Sequence, residues 1–202
     1  MYRMHGAHMQ NTGDREIDKQ LEQFGQNIRS ARERIGLSQD RLGLDRAAVS
    51  FLERAERSPD LPTVVRVAHA VDVAPATLLK GIGVAGSGVR GPRHEADASA
   101  SPASRFGVNL RWARQRAGIS QEALALKAEV DRAAISVFEH GRRDPNLRTI
   151  LKLARALEVP AAVMLNGVES NGAPLKSSAR QLAARRASAP RERPAGKRGR
   201  RR

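Results

Sequence analysis

The residues of this chain that could do chemistry are mainly cationic side chains. The sequence contains 36 Lys and Arg against 21 Asp and Glu, a formal net charge of +15. Such an excess favours polyanionic partners, either nucleic acid or an anionic membrane surface. Catalytic groups are scarce, because the sequence has no Cys and only five scattered His. No glycine-rich phosphate loop or pair of carboxylates stands out, so we expect a non-enzymatic binding protein without cofactor or metal.

One stretch, residues 119–141, has the spacing of two short helices joined by a tight turn. Ser120 is an N-cap candidate for the first helix, in which Leu124 and Ala128 lie one turn apart on one face. Asp131 is the N-cap candidate for the second helix, and Gly141 suits the left-handed residue that closes it. The second helix has three inward-facing apolar residues, Ala134, Ile135 and Phe138.

This stretch resembles the helix-turn-helix of the phage-repressor and Cro-type family, also called the xenobiotic response element (XRE) family. The matching positions are Ile119, Ser120, Gln121, Leu124, Ala125, Val130, Ile135, Ser136, Glu139 and Gly141. The similarity continues through Pro145, residues 146–149 and a Leu-rich run to Val159. One departure is Glu129, where the family usually has Gly; a side chain resists positive φ, which predicts a slightly different turn.

The resemblance implies a site on double-stranded DNA, with the second motif helix entering the major groove N-terminus first. By position it assigns base contacts to Arg132, Ala133 and Val137, with Ser136 on the same exposed side. An Arg can bond a guanine edge through two hydrogen bonds, and an Ala methyl can meet a thymine methyl. The opposing interpretation is that Arg132 is a solvated or phosphate-binding charge. The candidate DNA-binding residues are Gln121, Asp131, Arg132, Ala133, Ser136, Val137, His140, Arg142, Arg143 and Arg148.

The remaining candidates would support binding rather than read bases. Gln121 matches the family's residue that touches phosphate at the start of the first motif helix. Arg142, Arg143 and Arg148 can hold the DNA backbone without reading sequence, or can form a solvated face. For His140, a phosphate contact and a polar helix end are both open interpretations.

The chain contains this motif twice. The segment from Phe24 to Ile82 aligns with the segment from Phe106 to Val168, and 28 of 59 aligned positions are identical. Such agreement indicates an internal duplication. We call residues 17–82 repeat 1 and residues 104–168 repeat 2. Repeat 1 lacks the equivalent of residues 127–130, about one helical turn. Its first motif helix is therefore predicted to be one turn short, with residues 43–45 supplying the turn.

Other differences make repeat 1 look like a repurposed copy. Ala55 stands where repeat 2 has Gly141, and Ala in a left-handed position costs on the order of 1 kcal/mol. Repeat 1 has 10 basic and 9 acidic residues, whereas repeat 2 has 11 and 6. Arg46 and Ala47 occupy the places of Arg132 and Ala133, but the shortened motif predicts weak, nonspecific DNA contact. Self-association or a partner protein would then be the role of repeat 1. The opposing interpretation is that the shorter helix aims repeat 1 at a second, different half-site, which Arg46 would read.

Both repeats keep a charged pair that the resemblance makes structural. In the family fold, the positions of Arg114 and Glu139 form an ion pair that braces the first helix against the recognition helix. Arg32 and Glu53 recur at these positions in repeat 1. Trp112 lies off the apolar face of its predicted helix, where it either marks a contact surface or packs partly buried.

These observations predict an all-α chain of two tandem five-helix helix-turn-helix domains. A linker rich in Gly, Ser, Ala and Pro should let the two domains move independently. From residue 170 the tail holds 11 Lys or Arg and one Glu, a composition typical of disorder. The predicted boundaries are a disordered N-terminus at 1–16, a degenerate domain at 17–82, a flexible linker at 83–103, a helix-turn-helix domain at 104–168 and a disordered basic tail at 169–202. His5 and His8 in the N-terminus could bind a metal, but two such His are usually just solvated.

The leading functional interpretation is a sequence-specific DNA-binding transcriptional regulator, more narrowly a repressor. Two alternatives remain, a nonspecific nucleic-acid-binding protein driven by the tail and a protein-interaction adaptor that uses the same fold. No apolar run approaches the roughly 20 residues of a membrane span, and the N-terminus lacks the apolar core of a signal peptide. We therefore expect a cytoplasmic, nucleoid-associated protein, and the Arg- and Ala-rich composition suggests a bacterial source.

Overall fold

The computed structural model describes residues 12–83, 88–93 and 100–169, which form nine α-helices, one 3-10 helix and no β-strand. Repeat 1 comprises α1 (Thr12–Arg34), a 3-10 helix (Gln39–Arg41), α2 (Arg46–Glu53), α3 (Leu61–Ala70) and α4 (Pro75–Leu78). Repeat 2 comprises α5 (Pro102–Arg116), α6 (Gln121–Ala128), α7 (Arg132–Glu139), α8 (Leu147–Ala156) and α9 (Ala161–Met164). The predicted all-α class with two tandem helix-turn-helix units is confirmed. None of the described helices is both long and apolar enough to cross a membrane.

Some predicted features lie outside the described residues. They are residues 1–11 with His5 and His8, residues 84–87 and 94–99 of the linker, and the tail from residue 170. The structure differs from the prediction at the N-terminus, because α1 begins at Thr12, within the segment expected to be disordered. Ile17 and Leu21 are buried and extend the apolar face of Phe24 by two turns, so the helix continues towards the N-terminus.

The helices of repeat 2 begin where the sequence places capping side chains. The Ser120 hydroxyl accepts the amide of Ala123 at 3.0 Å, and the Asn146 side chain accepts the amide of Thr149 at 2.8 Å. Each satisfies a helix-start donor that has no partner within the helix. Glu129 adopts the left-handed conformation with φ 52°, so the turn keeps the geometry that its side chain was expected to disturb. We therefore correct the prediction of a different turn at this residue.

The deletion in repeat 1 shortens only the first motif helix. A 3-10 helix of three residues replaces the eight residues of α6, and Gly43 supplies a left-handed turn residue with φ 68°. Leu42 is fully buried at the position equivalent to Leu124, so the core contact survives. Helix α2 has eight residues, the same length as α7. The recognition-helix position of repeat 1 is thus retained as a complete helix.

The two repeats pack against each other about an approximate twofold axis. The Leu61 amide donates to the Pro145 carbonyl at 3.0 Å, and the Leu147 amide donates to the Pro59 carbonyl at 2.7 Å. These two bonds are exchanged by the internal alignment, and Asp60 pairs with its counterpart Asn146 in an antiparallel bridge. Helix α4 lies against α9, α1 against α8, and α3 against α5. Such reciprocity defines an isologous interface.

This packing differs from the independent motion predicted from the linker. The buried apolar residues of both repeats belong to one continuous cluster, so separating the repeats would expose core surface to water. The Asn166 side chain donates to the Pro92 carbonyl at 2.8 Å, which holds the described part of the linker against repeat 2. Linker composition carries no information about the surfaces on either side of it, so the sequence did not predict that the two repeats pack together.

One edge of the interface is electrostatic, and the described residues show no symmetric counterpart to it. Two ion pairs join α8 to the first turns of α1. Arg148 pairs with Asp18, and Lys152 Nζ lies 3.7 Å from Asp14 Oδ1. The Arg155 guanidinium donates to the Gly13 carbonyl at 2.9 Å. Because α5 begins two turns later than α1 in the alignment, the described part of repeat 2 places no equivalent carboxylates against α3. The interface is therefore symmetric at its centre and asymmetric at this edge.

Candidate nucleic-acid interface

Helix α7 presents its first turn to solvent. Asp131 caps it by accepting the Ala133 amide at 2.6 Å, which leaves Arg132 and Ala133 exposed at the N-terminal end. Ser136 and Val137 follow half-buried on the next turn. Ile135 and Phe138 are buried, and the Phe138 ring meets Phe106 of α5 edge-on with 6.4 Å between ring centres. The predicted base-contacting residues Arg132, Ala133 and Val137, together with Ser136, therefore lie along one side of a helix anchored by its other side.

A buried ion pair fixes the end of this helix. The Arg114 guanidinium donates from Nε to Glu139 Oε1 at 2.6 Å and from Nη2 to Glu139 Oε2 at 3.0 Å. A third donor comes from Gln121, whose Nε2 lies 2.8 Å from Oε2. Burial alone would raise the pKa of Glu139, but the bonds from Arg114 and Gln121 outweigh it and hold that pKa below its ordinary value. The predicted brace is confirmed, and it includes Gln121.

Repeat 1 builds the same brace. The Arg32 guanidinium donates from Nε to Glu53 Oε1 at 2.7 Å, and Gln39 donates to Glu53 Oε2 at 2.8 Å. The hydrogen bond to Glu53 raises the pKa of Arg32 above its ordinary value. Arg46 and Ala47 at the start of α2 are exposed, as their counterparts in α7 are. The recognition helix is thus held in the same way in both repeats.

Both braces depend on a glycine where the first helix of the repeat crosses the recognition helix. A Cβ at Gly107 would lie 2.5 Å from the Phe138 carbonyl oxygen, and a Cβ at Gly25 would lie 2.6 Å from the Glu53 carbonyl oxygen. Contacts this short with backbone cannot be accommodated without moving a helix. Both repeats carry Gly here because the helices cross at backbone distance.

The supporting cations fall into two groups. Arg142 and Arg143 are exposed just after α7, and neither they nor Arg132 pair with a carboxylate of the described residues. His140 is exposed at the helix end, with its Nδ1 2.7 Å from the Ser136 carbonyl oxygen. Arg148 lies apart from this group, because its guanidinium engages Asp18 in α1. A phosphate contact by Arg148 would compete with that carboxylate.

Two residues matter more than their sequence signal indicated. The side chain of Asn109 is fully buried and donates to the carbonyls of Met164 and Asn166, which ties α5 to the end of α9. Asn27 makes the equivalent bonds to α4 in repeat 1. For Asn109 and Asn27, the only signal in the sequence was that both repeats have the same polar residue at this position.

The position of Trp112 decides between its two sequence-based interpretations. Trp112 is half-buried against the core, and the Arg116 guanidinium lies 5.8 Å from its ring centre, so the packing alternative fits it.

A model of the helix-turn-helix family matches residues 28–78 and 110–163, together just over half of the chain. The chain belongs to this family. Each matched region contains one braced recognition helix, α2 in the first and α7 in the second. The family resemblance drawn from the sequence is therefore confirmed for both repeats. Membership implies DNA binding, and it points to a regulator rather than an enzyme.

A curated relative supports the same family. The chain is 29% identical over 77 residues to a protein described as an uncharacterized HTH-type transcriptional regulator, YqaE, of Bacillus subtilis (strain 168). The aligned part covers 38% of this chain and 66% of the relative, just under two thirds of the relative's length. No solved structure was found to match the chain.

Proposed function

We propose that this chain is a sequence-specific DNA-binding transcriptional regulator that reads the major groove through α7. The observation that carries the proposal is the exposed pair Arg132 and Ala133 at the N-terminus of a helix whose other end is locked by Arg114 and Glu139. A guanidinium in that place can bond the O6 and N7 of a guanine, and the methyl beside it can contact thymine. Fixed geometry matters because a bidentate pair discriminates only when its donors are held in register.

The distribution of positive charge also supports placing α7 in the major groove. Arg142 and Arg143 follow α7, where they can contact phosphates on the flanks of the groove without reading bases. Repeat 2 and the tail carry most of the net positive charge of the sequence. The name of the relative, a transcriptional regulator, agrees with this use. We further propose that the protein acts as a repressor on the bacterial nucleoid, by occupying its site.

The proposal is tested by separating base reading from phosphate contact. Arg132→Ala should weaken the preferred site by about 1–3 kcal/mol and relax base choice at one position, because it removes one bidentate pair. Arg143→Ala removes the same charge outside α7 and should weaken all DNA sequences alike. Selection of bound sites from random DNA, followed by titration at fixed salt, measures both effects. An unchanged selected motif with Arg132→Ala would refute the placement of α7.

The second candidate is nonspecific nucleic-acid binding, which the charge of the tail favours. Salt dependence does not separate it from specific reading, since both release counterions. The ratio of affinities for selected and random DNA at one salt concentration does separate them, because specific regulators typically reach about 10³ or more. A ratio near one would favour the nonspecific alternative.

A further inference from the structure

We propose that one copy of this chain reads two unlike half-sites on one DNA duplex, with α2 of repeat 1 as a second recognition helix. This rests on the proposed function of α7. It replaces the sequence-based prediction that repeat 1 contacts DNA weakly and without sequence preference. The carrying observation is that the two repeats form a dimer-like unit inside a single chain.

The centre of the interface has the reciprocity of a homodimer. The Leu61–Pro145 and Leu147–Pro59 hydrogen bonds exchange under the internal alignment, and so do the helix pairs α1–α8 and α3–α5. Helices α4 and α9 are counterparts that meet each other, as elements beside a twofold axis must. Homodimeric helix-turn-helix proteins use such symmetry to match the pseudo-palindromy of DNA sites. Here one polypeptide supplies both halves.

The recognition helices are not among the elements that make the main contacts of this interface. Its main contacts come from α1, α3 and α4 of repeat 1 and from α8, α5 and α9 of repeat 2. The exposed starts of α2 and α7 therefore remain open in the packed form, with Arg46 and Arg132 both facing solvent. Because each helix is braced to the first helix of its own repeat, the interface also fixes α2 relative to α7.

The side chains of α2 predict what it reads. Arg46, Ala47 and Ser50 repeat the residues of α7 at equivalent positions, so the bases that they contact should agree between the two half-sites. Phe51 replaces Val137, and Arg54 replaces His140. The guanidinium carbons of Arg54 and Arg57 lie 5.6 and 5.0 Å from the Phe51 ring centre, an arrangement without counterpart at Val137. The preferred site is then an imperfect inverted repeat.

The covalent connection favours pairing within one chain over pairing between two. A short tether holds its two ends at an effective concentration of about the millimolar range. In each repeat, the surface that forms the central contacts is already covered by the other repeat. The ion pairs between α1 and α8 stabilise this packing further, at one edge of the interface. A second copy would have to displace a partner that is always present.

The test uses the full chain throughout. Sites are selected from random DNA with the wild type, Arg46→Ala, Arg132→Ala and Phe51→Val, and the mass of each complex is measured by analytical ultracentrifugation. Arg66→Ala is the matched control, because it removes an exposed charge from repeat 1 outside α2. Circular dichroism melting checks that each variant is folded. Arg46 is exposed, so its removal leaves the core intact.

We expect one chain per duplex and two inverted half-sites centred on the order of 10 bp apart or a multiple of that spacing. Arg46→Ala should relax one half and weaken binding roughly 5- to 150-fold, Arg132→Ala should relax the other half, and Arg66→Ala should leave the motif unchanged. Phe51→Val should make the two halves more alike.

Two results would overturn the inference while leaving the proposed function standing. One is a complex with two chains per duplex whose motif survives Arg46→Ala, which would mean a homodimer reading through two copies of α7. The other is a single half-site bound by one chain and altered only by Arg132→Ala. If Arg132→Ala also left the selected motif unchanged, the proposed function itself would fail, and the two-half-site reading would fail with it.

Discussion

At the scale of single residues, Glu139 is subject to two opposing effects. Burial disfavours its charge, whereas Arg114, Gln121 and the nearby Arg111 favour it. A buried ion pair is weak evidence of stabilisation, because apolar residues of similar size often do as well. What this pair contributes is a fixed orientation of α7. It joins the last residue of α7 to α5 through two bonds, so it sets the rotation of the helix that carries Arg132.

Replacing this carboxylate therefore has a predicted pH signature. Glu139→Gln should lower the free energy of unfolding at pH 7 by about 3 kcal/mol, because it leaves the half-buried Arg114 without its counter-charge. The folded pKa of Glu139 lies below the unfolded value of about 4.3. Its stabilisation is thus present above that value and is lost as pH falls through the folded pKa. Urea unfolding of both proteins from pH 7 to pH 3 should show the difference shrinking.

The control for this prediction is Glu122→Gln, which removes an exposed carboxylate from α6. It should change stability by less than about 0.5 kcal/mol at every pH, as surface substitutions usually do. A Glu139→Gln difference that stayed constant from pH 7 to pH 3 would mean that the pKa of Glu139 is the same in the folded and unfolded protein, so that Arg114 and Gln121 do not favour its charge beyond the cost of burial.

The sequence predicts the local features of the site better than its cross-chain contacts. The N-caps Ser120 and Asp131 were identified correctly, because a cap and the amide that donates to it lie within three residues. Gln121 was assigned to phosphate, and its bond to Glu139 was not foreseen. That bond joins residues from different helices, and no local pattern encodes it. The same reason explains why the interface partners of Arg148 were missed.

At the scale of elements, the crossing of α5 and α7 determines the site more than either helix alone. Both first helices place Gly at the crossing, Gly107 in α5 and Gly25 in α1. The alignment shows both glycines, but their reason appears only once the helices are packed. The 3-10 helix of repeat 1 shows the opposite case, in which a difference that is clear in the sequence leaves the brace in place. The deletion was predicted to shorten the first motif helix of repeat 1, and it does, yet Gln39 precedes the deleted turn and still reaches Glu53.

This crossing gives a test at the element scale. Gly107→Ala places a methyl 2.5 Å from the Phe138 carbonyl oxygen, so α5 and α7 must separate. We expect a loss of about 1–3 kcal/mol of stability from overpacking, although Ala alone favours a helix by about 1 kcal/mol. DNA affinity should fall as α7 tilts. Thermal melting and DNA titration measure the two effects.

Val108→Ala is the matched control, since Val108 is the next residue of α5 and is 50% exposed. It should leave both stability and DNA affinity nearly unchanged. A Gly107→Ala protein more stable than the wild type would show that the two helices do not cross at backbone distance.

At the scale of the whole molecule, the sequence predicted the parts and missed their arrangement. The duplication was visible in the 28 identical residues among 59 aligned positions, and the family followed from the motif. The interface was not visible, because its central bonds use backbone atoms of residues 59–61 and 145–147. Backbone donors carry no side-chain signature. Its apolar surface also looked like ordinary core, since both repeats contribute to one cluster.

The last prediction concerns the tail, whose charge acts on the whole complex. From residue 170 the sequence has 11 Lys or Arg and one Glu. Deleting residues 170–202 should flatten the slope of log affinity against log salt, by about 0.9 for each phosphate that the tail neutralises. Affinity for selected and random DNA should fall together, because phosphates are the same in both. The measurement is titration of both DNAs from about 50 to roughly 200 mM salt.

A tail of the same length with every Lys and Arg replaced by Gln is the control for chain length alone. It should behave like the deletion if charge is the cause, and like the wild type if length is. A fall in the ratio of selected to random affinity would contradict this division of labour. It would mean that residues beyond 170 contact bases, so that sequence reading is not confined to the helices of the two repeats.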